Sequence, residues 1–167
     1  HQPIFSGFLV NDSFSRFFRG LALLVGALTI LVSMGYKVIS GRDKPEYYFL
    51  LLVAVVGMMF AVSSTNLMMI YLAFETISLI SYILVGFLKR DTLSGEAGLK
   101  YFLFGTLATG IMLYGISFFY GLFGTVDLSA IRSILPQAGI NNPVFYAALL
   151  LIFAGIAFKC SLVPFHM

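Results

Sequence analysis

Long apolar segments constrain the fold of this chain more than any other feature of its sequence. The 167 residues are 60% hydrophobic and only 10% charged, whereas soluble domains are about 25% charged. A bilayer has a hydrocarbon core about 30 Å thick, which a helix of about 20 apolar residues crosses. Several segments reach that length, so the sequence predicts an all-α integral membrane protein.

We predict one transmembrane domain over residues 1–167, because no internal repeat or linker divides the chain. Capping signals mark the helix starts: Glu46 lies in one first turn, and Asn66 and Ser94 stand as N-caps. The chain begins with His1, without a signal peptide, and ends at Met167 after an apolar helix, so we expect a fragment of a longer protein. Five transmembrane helices are predicted, at residues 17–39, 46–63, 67–88, 95–123 and 143–163, the last interrupted at Pro164.

The longest connection runs over residues 124–142. Apolar residues recur at helical spacing over 128–135, which fits a short helix lying on the membrane surface. A loop with one helical turn fits the same residues, and the sequence leaves both structures open.

Loop charges predict the orientation of the helices. Cytoplasmic loops of membrane proteins carry an excess of Lys and Arg, and the links at 40–45 and 89–94 carry the larger share here. We therefore expect these two links in the cytoplasm. The two sides compare as five residues (Lys37, Arg42, Lys44, Lys89 and Arg90) against three (Arg16, Arg19 and Arg132).

Composition also argues against several classes of function. The net charge of +3 forms no basic patch, so nucleic acid is not an expected partner. Cys160 is the only cysteine, which excludes an internal disulfide, and we expect it in a helix as a small apolar residue. Since the sequence has no CxxC, no His/Cys cluster, no GxGxxG and no P-loop, we expect no metal or cofactor bound by this chain.

Two charged side chains stand alone inside apolar helices. Glu75 is the only charge between Asn66 and Leu88, and Lys159 is the only charge after Pro143. A charge at the bilayer centre costs about 2.5–3.5 kcal/mol on insertion scales, so such residues usually have a function. We therefore expect Glu75 and Lys159 to take part in ion translocation.

Glu75 lies nine residues past Asn66, about 13.5 Å along the helix and near the middle of a bilayer. Tyr71, Ser78 and Tyr82 share its helix face, which predicts a polar stripe turned away from lipid. A carboxyl group in this setting can exchange protons with a nearby cation. The alternative is a neutral glutamic acid that joins two helices by a hydrogen bond.

Lys159 lies 16 residues past Pro143, about 24 Å along a straight helix. Its helix runs parallel to that of Glu75, so equal starting depths leave the two groups about 10 Å apart along the membrane normal. A tilt or a later helix start reduces this offset. The alternative role for Lys159 is to extend its ammonium group to the membrane surface.

Two further residues are candidates for proton movement. Pro164 breaks the last helix, and broken helices beside ionisable residues are common in transporters. His166 follows the break and has the right chemistry for a proton relay near neutral pH, although a structural histidine is the commoner case. Lys100 either conducts protons or forms an ordinary surface pair with Glu96, four residues earlier.

Three stretches carry a resemblance to a known family. Phe158-Lys-Cys-Ser-Leu-Val-Pro-Phe-His166 resembles the broken-helix motif of the antiporter-like membrane subunits of respiratory complex I, and its form is closest to subunit N, the counterpart of mitochondrial subunit 2. Leu72-Ala-Phe-Glu-Thr-Ile-Ser-Leu-Ile-Ser81 resembles the helix with the family's key glutamate. Glu96-Ala-Gly-Leu-Lys-Tyr101 resembles the opening of the next helix.

The resemblance implies a proton-translocating membrane-arm subunit of an NADH–quinone oxidoreductase, built as a bundle with inverted repeats. It implies that Glu75 pairs with Lys159, and that Lys100 and His166 match further family residues on the proton path. Other membrane-arm subunits are the implied partners in a bacterial plasma membrane, while NADH and quinone react in other subunits. The family's Trp and Pro-Asp after the histidine, and its later lysines, are absent from this chain.

Two alternatives remain open. Cation/proton antiporters of the Mrp type and membrane-bound hydrogenase subunits share the fold, and the Val-Pro-Phe-His form disfavours them only weakly. A structural membrane subunit without conduction is the other alternative, and in it Glu75 and Lys159 serve only to join helices.

Overall fold

A computed structural model describes residues 2–5, 7–36, 44–138 and 142–163 of the chain. Within these residues a short antiparallel hairpin precedes six helices. The hairpin strands are β1 (Gln2–Ile4) and β2 (Leu9–Asn11), and the helices are α1 (Ser13–Ser33), α2 (Lys44–Ser63), α3 (Leu67–Val85), α4 (Thr92–Phe123), α5 (Leu128–Ala138) and α6 (Pro143–Lys159).

Four of the described helices, α1 to α4, are long and apolar enough to cross a membrane, and α6 is a shorter apolar helix. Each of the five helices predicted from the sequence is present with shifted ends: α1, α2 and α4 begin two to four residues early, and α1, α3 and α6 end early. The all-α prediction is wrong at the N-terminus, where β1 pairs with β2. Residues 37–39 and Pro164 lie outside the described residues. The predicted interruption at Pro164 is therefore not tested.

Local capping explains where these helices begin. Asn66 caps α3 as predicted, since its side-chain oxygen accepts hydrogen bonds from the backbone N–H groups of Met68 and Met69 at 2.9 and 3.3 Å. Ser94 does not cap α4: Asp91 does, and this is why α4 starts earlier than predicted. The hydroxyl of Ser94 instead donates to the last carbonyl of α3 at 2.8 Å and thereby joins the two helices.

Neighbouring helices pack in chain order, α1 on α2, α2 on α3 and α3 on α4, and α6 returns to pack along α4. Glycines make the α4–α6 contact close. A Cβ atom on Gly155 of α6 would lie 2.5 Å from the Cβ of Met112, and one on Gly115 of α4 would lie 2.9 Å from the carbonyl oxygen of Ala148. Small residues at such crossings allow the van der Waals contact that holds helices together in lipid.

One end of the bundle is closed by hydrogen bonds between three segments that are distant in sequence. The backbone of Thr65, in the α2–α3 turn, accepts from Leu128 at 3.0 Å and donates to Phe8 of the hairpin loop at 3.1 Å. The N–H of Leu67 donates to Val126 at 2.8 Å. These bonds fix the start of α3, the helix that carries Glu75.

The segment left open by the sequence is a helix. α5 packs Ile131 into a core cluster with Phe119 and Phe123 of α4 and Ala148 of α6. Its polar residues lie on the opposite side, where Ser129 and Ser133 are exposed. Of the two structures that the sequence leaves open, the helix is therefore the one present, and its contact with a membrane surface stays a prediction.

Candidate functional site

Lys159 is the last residue of α6, and a tight backbone turn ends the helix there. Ser161 has a φ of 51°, in the left-handed region, its N–H donates to Phe158 at 3.0 Å, and the N–H of Leu162 donates to Ala157 at 2.9 Å. This pattern is a Schellman motif, which stops a helix within one residue. The helix predicted to run to residue 163 is therefore shorter, and Lys159 lies at the negative end of the helix dipole, which favours a cation.

The ammonium group of Lys159 contacts α3. Its Nζ donates to the hydroxyl oxygen of Ser78 and to that of Tyr82, the latter at 3.3 Å, and it lies 5.7 Å from the centre of the Tyr82 ring. Ser78 and Tyr82 are both 5% exposed. Two hydroxyl oxygens therefore surround the cation in a buried setting, which is the kind of environment that a partly desolvated ammonium group requires.

Glu75 lies on the same face of α3, one helical turn before Ser78. Its Oε2 atom is buried and accepts no hydrogen bond from the residues that the structure describes. Both residues are described, and no carboxyl oxygen of Glu75 lies within the salt-bridge distance of 4.0 Å from Lys159 Nζ. The structure thus brings the acid and the base to one helix face without joining them.

Lys159 lies beyond Glu75 along the direction of α3, which is the direction of offset that the sequence predicts. Lys159 contacts α3 at Ser78 and Tyr82, three and seven residues beyond Glu75, or about 4.5 and 10.5 Å along the helix. Buried hydroxyls, and not only hydrocarbon side chains, line the face that they share. A polar connection between Glu75 and Lys159 is therefore geometrically available.

Tyr82 is held in place by α4. A methyl group on Gly105 would overlap the Tyr82 hydroxyl, so only glycine leaves room for this phenol. The ring of Tyr101 meets that of Tyr82 edge-on at 4.7 Å between centres. The sequence placed Ser78 and Tyr82 beside Glu75, but it gave no signal that they are the partners of Lys159.

Lys100, another of the predicted site residues, is not part of this cluster. Lys100 is exposed and pairs with Glu96 at 2.5 Å, with 61% and 59% of the two side chains exposed. His166 lies outside the described residues. Cys160 is exposed at the C-cap of α6, so the prediction of a helical apolar position is wrong. Over the described part of the chain, no group of three or more His, Cys, Asp or Glu side chains is arranged to hold a metal ion.

Apolar helices of membrane-spanning length, with an acid and a base on one buried face, define a polytopic membrane protein with an internal polar site. The chain belongs to the NADH:quinone oxidoreductase/Mrp antiporter transmembrane family, whose model matches residues 64–167. The matched segment contains Glu75, Ser78, Tyr82 and Lys159.

Curated relatives extend the match to nearly the whole chain. NADH-quinone oxidoreductase subunit N 2 of Rhizobium meliloti is 40% identical over 99% of this chain, and subunit N 1 of Koribacter versatilis is 42% identical over 97%. The chain spans about a third of the length of these relatives, 34% and 33%. They confirm the resemblance to subunit N that the motifs predict.

Solved structures agree with this fold. A chain of respiratory complex I from Thermus thermophilus superposes with a TM-score of 0.78 at 36% identity, over 99% of this chain and 35% of that one. A chain of an archaeal membrane-bound sulfane sulfur reductase superposes with a TM-score of 0.79 at 21% identity, over 94% of this chain and 31% of that one, which shows the shared fold alone.

Proposed function

We propose that this chain forms part of a proton-translocating membrane-arm subunit of an NADH–quinone oxidoreductase. In this proposal Glu75 and Lys159 exchange protons within a buried polar axis. The observation that carries the proposal is the contact of Lys159 with Ser78 and Tyr82, on the face of α3 that also carries Glu75.

The chemistry follows from the low polarity around these groups. Charges interact several times more strongly in a protein interior than in water, so the protonation of Glu75 and that of Lys159 are coupled. When the two groups approach each other, the ionised pair is favoured. When they separate, each buried charge becomes costly, so Lys159 tends to release a proton and Glu75 tends to bind one. A conformational change driven by quinone chemistry in another subunit can therefore be converted into proton movement.

The remaining features of the proposal concern the wider path and its surroundings. We assign Lys100 and His166 to proton transfer beyond the central pair, and α6 to a fifth membrane crossing, since its 17 residues span about 25 Å. The links 40–45 and 89–94 face the cytoplasm of a bacterial cell, and other membrane-arm subunits are the partners. NADH and quinone react elsewhere in the complex, and no cofactor is assigned to this chain.

Two other functions fit the same family fold. An Mrp-type antiporter or a hydrogenase subunit is less favoured, because the relatives that match nearly all of the chain are named as subunit N. A structural subunit without conduction predicts that loss of either charge leaves pumping intact. The following experiment separates that case from the proposal.

The test replaces each charge in the full-length protein, assembled in its native complex in membrane vesicles. Glu75→Gln and Lys159→Met should each slow proton pumping markedly, by about 100-fold for protons on this path, since positioned acid–base groups contribute about 10²–10⁴-fold. Pumping is measured with a pH-sensitive dye after NADH addition. NADH oxidation by an artificial acceptor reports assembly.

The matched controls are Glu46→Gln and Lys89→Met. These residues pair at 3.6 Å on the surface, with 63% and 76% of their side chains exposed, so both variants should pump normally. Normal pumping in both Glu75→Gln and Lys159→Met would refute the proposal.

A further inference from the structure

Lys159 is held by hydroxyl groups and not by the acid with which it is expected to pair. Its ammonium group carries three donors and no acceptor, and two of the three go to the oxygens of Ser78 and Tyr82. The nearby carboxyl oxygen of Glu75, Oε2, is buried and receives no hydrogen bond from the described residues. Because a buried carboxyl oxygen without a donor is costly, Glu75 should attract the ammonium group of Lys159. Other contacts of Lys159 must therefore hold it away from Glu75.

The geometry of Ser78 makes it an acceptor for the lysine. Its hydroxyl hydrogen is directed to the carbonyl oxygen of Phe74, one turn earlier in α3, at 2.7 Å. The lone pairs of the hydroxyl oxygen are then turned outward, toward Lys159. Because the hydrogen is used by the helix backbone, the oxygen of Ser78 is available to accept a hydrogen bond from Lys159.

Tyr82 is fixed as firmly by a different helix. Gly105 of α4 leaves space for the phenol, and the rings of Tyr101 and Phe102 meet the Tyr82 ring at 4.7 and 5.9 Å between centres, both nearly perpendicular. The second acceptor of Lys159 is therefore positioned by α4 and does not depend on the rotamer of an exposed side chain.

We propose that Ser78 and Tyr82 form a hydroxyl pair that holds the Lys159 ammonium group apart from Glu75, and that this pair sets how readily the Glu75–Lys159 ion pair forms. The proposal deepens the proton-translocating function above and rests on it. Ser78 and Tyr82 act through Lys159, so they are positioning residues. The long, flexible stem of Lys159 allows the ammonium group to move one helical turn, from Ser78 to Glu75, without movement of α6.

The first test is structural and needs no pumping measurement. In a cryo-EM structure of the full-length Ser78→Ala, Tyr82→Phe double variant, in its complex, Lys159 Nζ should lie within salt-bridge distance of a Glu75 carboxyl oxygen. Each lost interhelical hydrogen bond should shift the ratio of separated to paired lysine by about three- to thirtyfold. A lysine that remains apart from Glu75 in this variant would overturn the proposal.

The second test is functional. Ser78→Ala should reduce the number of protons pumped per NADH, because the lysine becomes trapped in the ion pair, while assembly of the complex is retained. Ser78→Thr keeps the hydroxyl oxygen and should restore pumping. A purely structural serine would not show this dependence on the hydroxyl group.

Ser81→Ala is the matched control. Ser81 is on the same helix and makes the same kind of bond, to the carbonyl oxygen of Ile77 at 2.8 Å, but no bond to Lys159. Equal loss of pumping in Ser78→Ala and Ser81→Ala, or normal pumping in Ser78→Ala, would refute the role of the hydroxyl pair.

The two proposals fail separately. Normal pumping in Glu75→Gln and Lys159→Met removes the proton-translocating function, whereas the cryo-EM result still reports whether the hydroxyl pair holds the lysine. Conversely, a strong effect of Glu75→Gln with no effect of Ser78→Ala removes only the hydroxyl pair.

Discussion

α6 meets its two neighbours in opposite ways. Toward α4 the contact is apolar and close, with Gly155 against Met112, Gly115 against Ala148, and Ala148 and Ala157 almost fully buried at 0% and 1% exposure. Toward α3 the hydrogen bonds that the structure describes come from a single long side chain, Lys159. The first contact fixes where α6 lies, and the second allows a charge to change partners.

The difference has a physical basis in the membrane. Lipid tails are as apolar as leucine, so helices associate through close packing and hydrogen bonds and not through the hydrophobic effect. Close glycine contacts have one good geometry and tolerate no displacement. Hydrogen bonds between helices contribute only about 0.6–2 kcal/mol each in lipid, so a lysine held by two hydroxyl groups can leave them.

The largest expected effect is on the α4–α6 contact. Gly155→Leu places side-chain atoms where the Met112 side chain and the Ala108 carbonyl oxygen already lie, at 2.5 and 3.0 Å from the first added carbon. Overpacking of this kind costs about 1–3 kcal/mol and occasionally more. The apparent melting temperature of the full-length protein in detergent should fall, and less of it should assemble into the complex.

Gly110→Leu is the matched control, because a Cβ atom there meets nothing within 4 Å. It should melt close to the unmodified protein. Equal destabilisation by the two variants would mean that the contact at Gly155 does not determine the position of α6.

A smaller effect is expected where the polar contact depends on packing. Gly105→Ala should push the Tyr82 hydroxyl out of its place, at a cost of about 1 kcal/mol in stability since only one methyl group is added, and should remove one of the two described hydrogen bonds of Lys159. Pumping should fall less than in Lys159→Met, because Ser78 still holds the lysine. The measurements are thermal unfolding and the proton-to-NADH ratio.

The comparison variant for Gly105→Ala is Gly121→Ala in the same helix, where a Cβ atom again meets nothing within 4 Å. Alanine there should leave pumping unchanged and slightly stabilise the helix, since glycine costs about 0.5–1 kcal/mol in a helix interior. A harmless Gly105→Ala would show that Tyr82 is free to adjust.

The smallest effect is expected far from both contacts, at the start of α5. The hydroxyl of Ser129 and the backbone N–H groups of Ala130 and Ser129 donate to Asp127 and lower the pKa of its carboxyl group below the usual 3.8. A lowered pKa in the folded state means that the ionised carboxylate stabilises the fold above about pH 4, and that this stability is lost as the pH falls through the folded value. The two backbone N–H bonds make Asp127 an N-cap of α5, and a cap of this kind is worth about 1 kcal/mol.

Asp127→Asn keeps an N-cap but removes the titration, so it should reduce the acid-dependent loss of melting temperature of the full-length protein between about pH 5 and 3. Asp127→Ala should lower the melting temperature at neutral pH as well. An unchanged acid dependence in Asp127→Asn would mean that another group causes it.

Much of the fold was predictable because its signals are local. Apolar length predicts the long helices, and the Asn66 cap and the early Glu46 of α2 follow from short-range hydrogen bonding and the helix dipole. The predictions were wrong where hydrogen bonds join segments that are distant in sequence. Ser94 bonds across to α3 and leaves the cap of α4 to Asp91, and the hairpin strands β1 and β2 are supported by the α2–α3 turn.

The end of α6 shows the same limit. Pro164 predicts a break, but the helix already ends at Lys159 in a turn that requires the left-handed backbone of Ser161. Serine is an unusual residue for that conformation, which glycine normally provides, so the sequence gives no sign of it. As a result Lys159 is the last residue of α6 and does not lie in the middle of a longer helix.

The sequence by itself determined that the chain crosses a membrane, that Glu75 and Lys159 are charges standing alone inside apolar helices, and that a polar stripe accompanies Glu75. These conclusions depend on the cost of placing charge and backbone in hydrocarbon, which acts on each helix separately. Only the tertiary structure decided that Lys159 is held by Ser78 and Tyr82, 81 and 77 residues away, and not by Glu75. That choice depends on how α6 packs along α4 and on the room that Gly105 leaves for a phenol, and no local pattern encodes either.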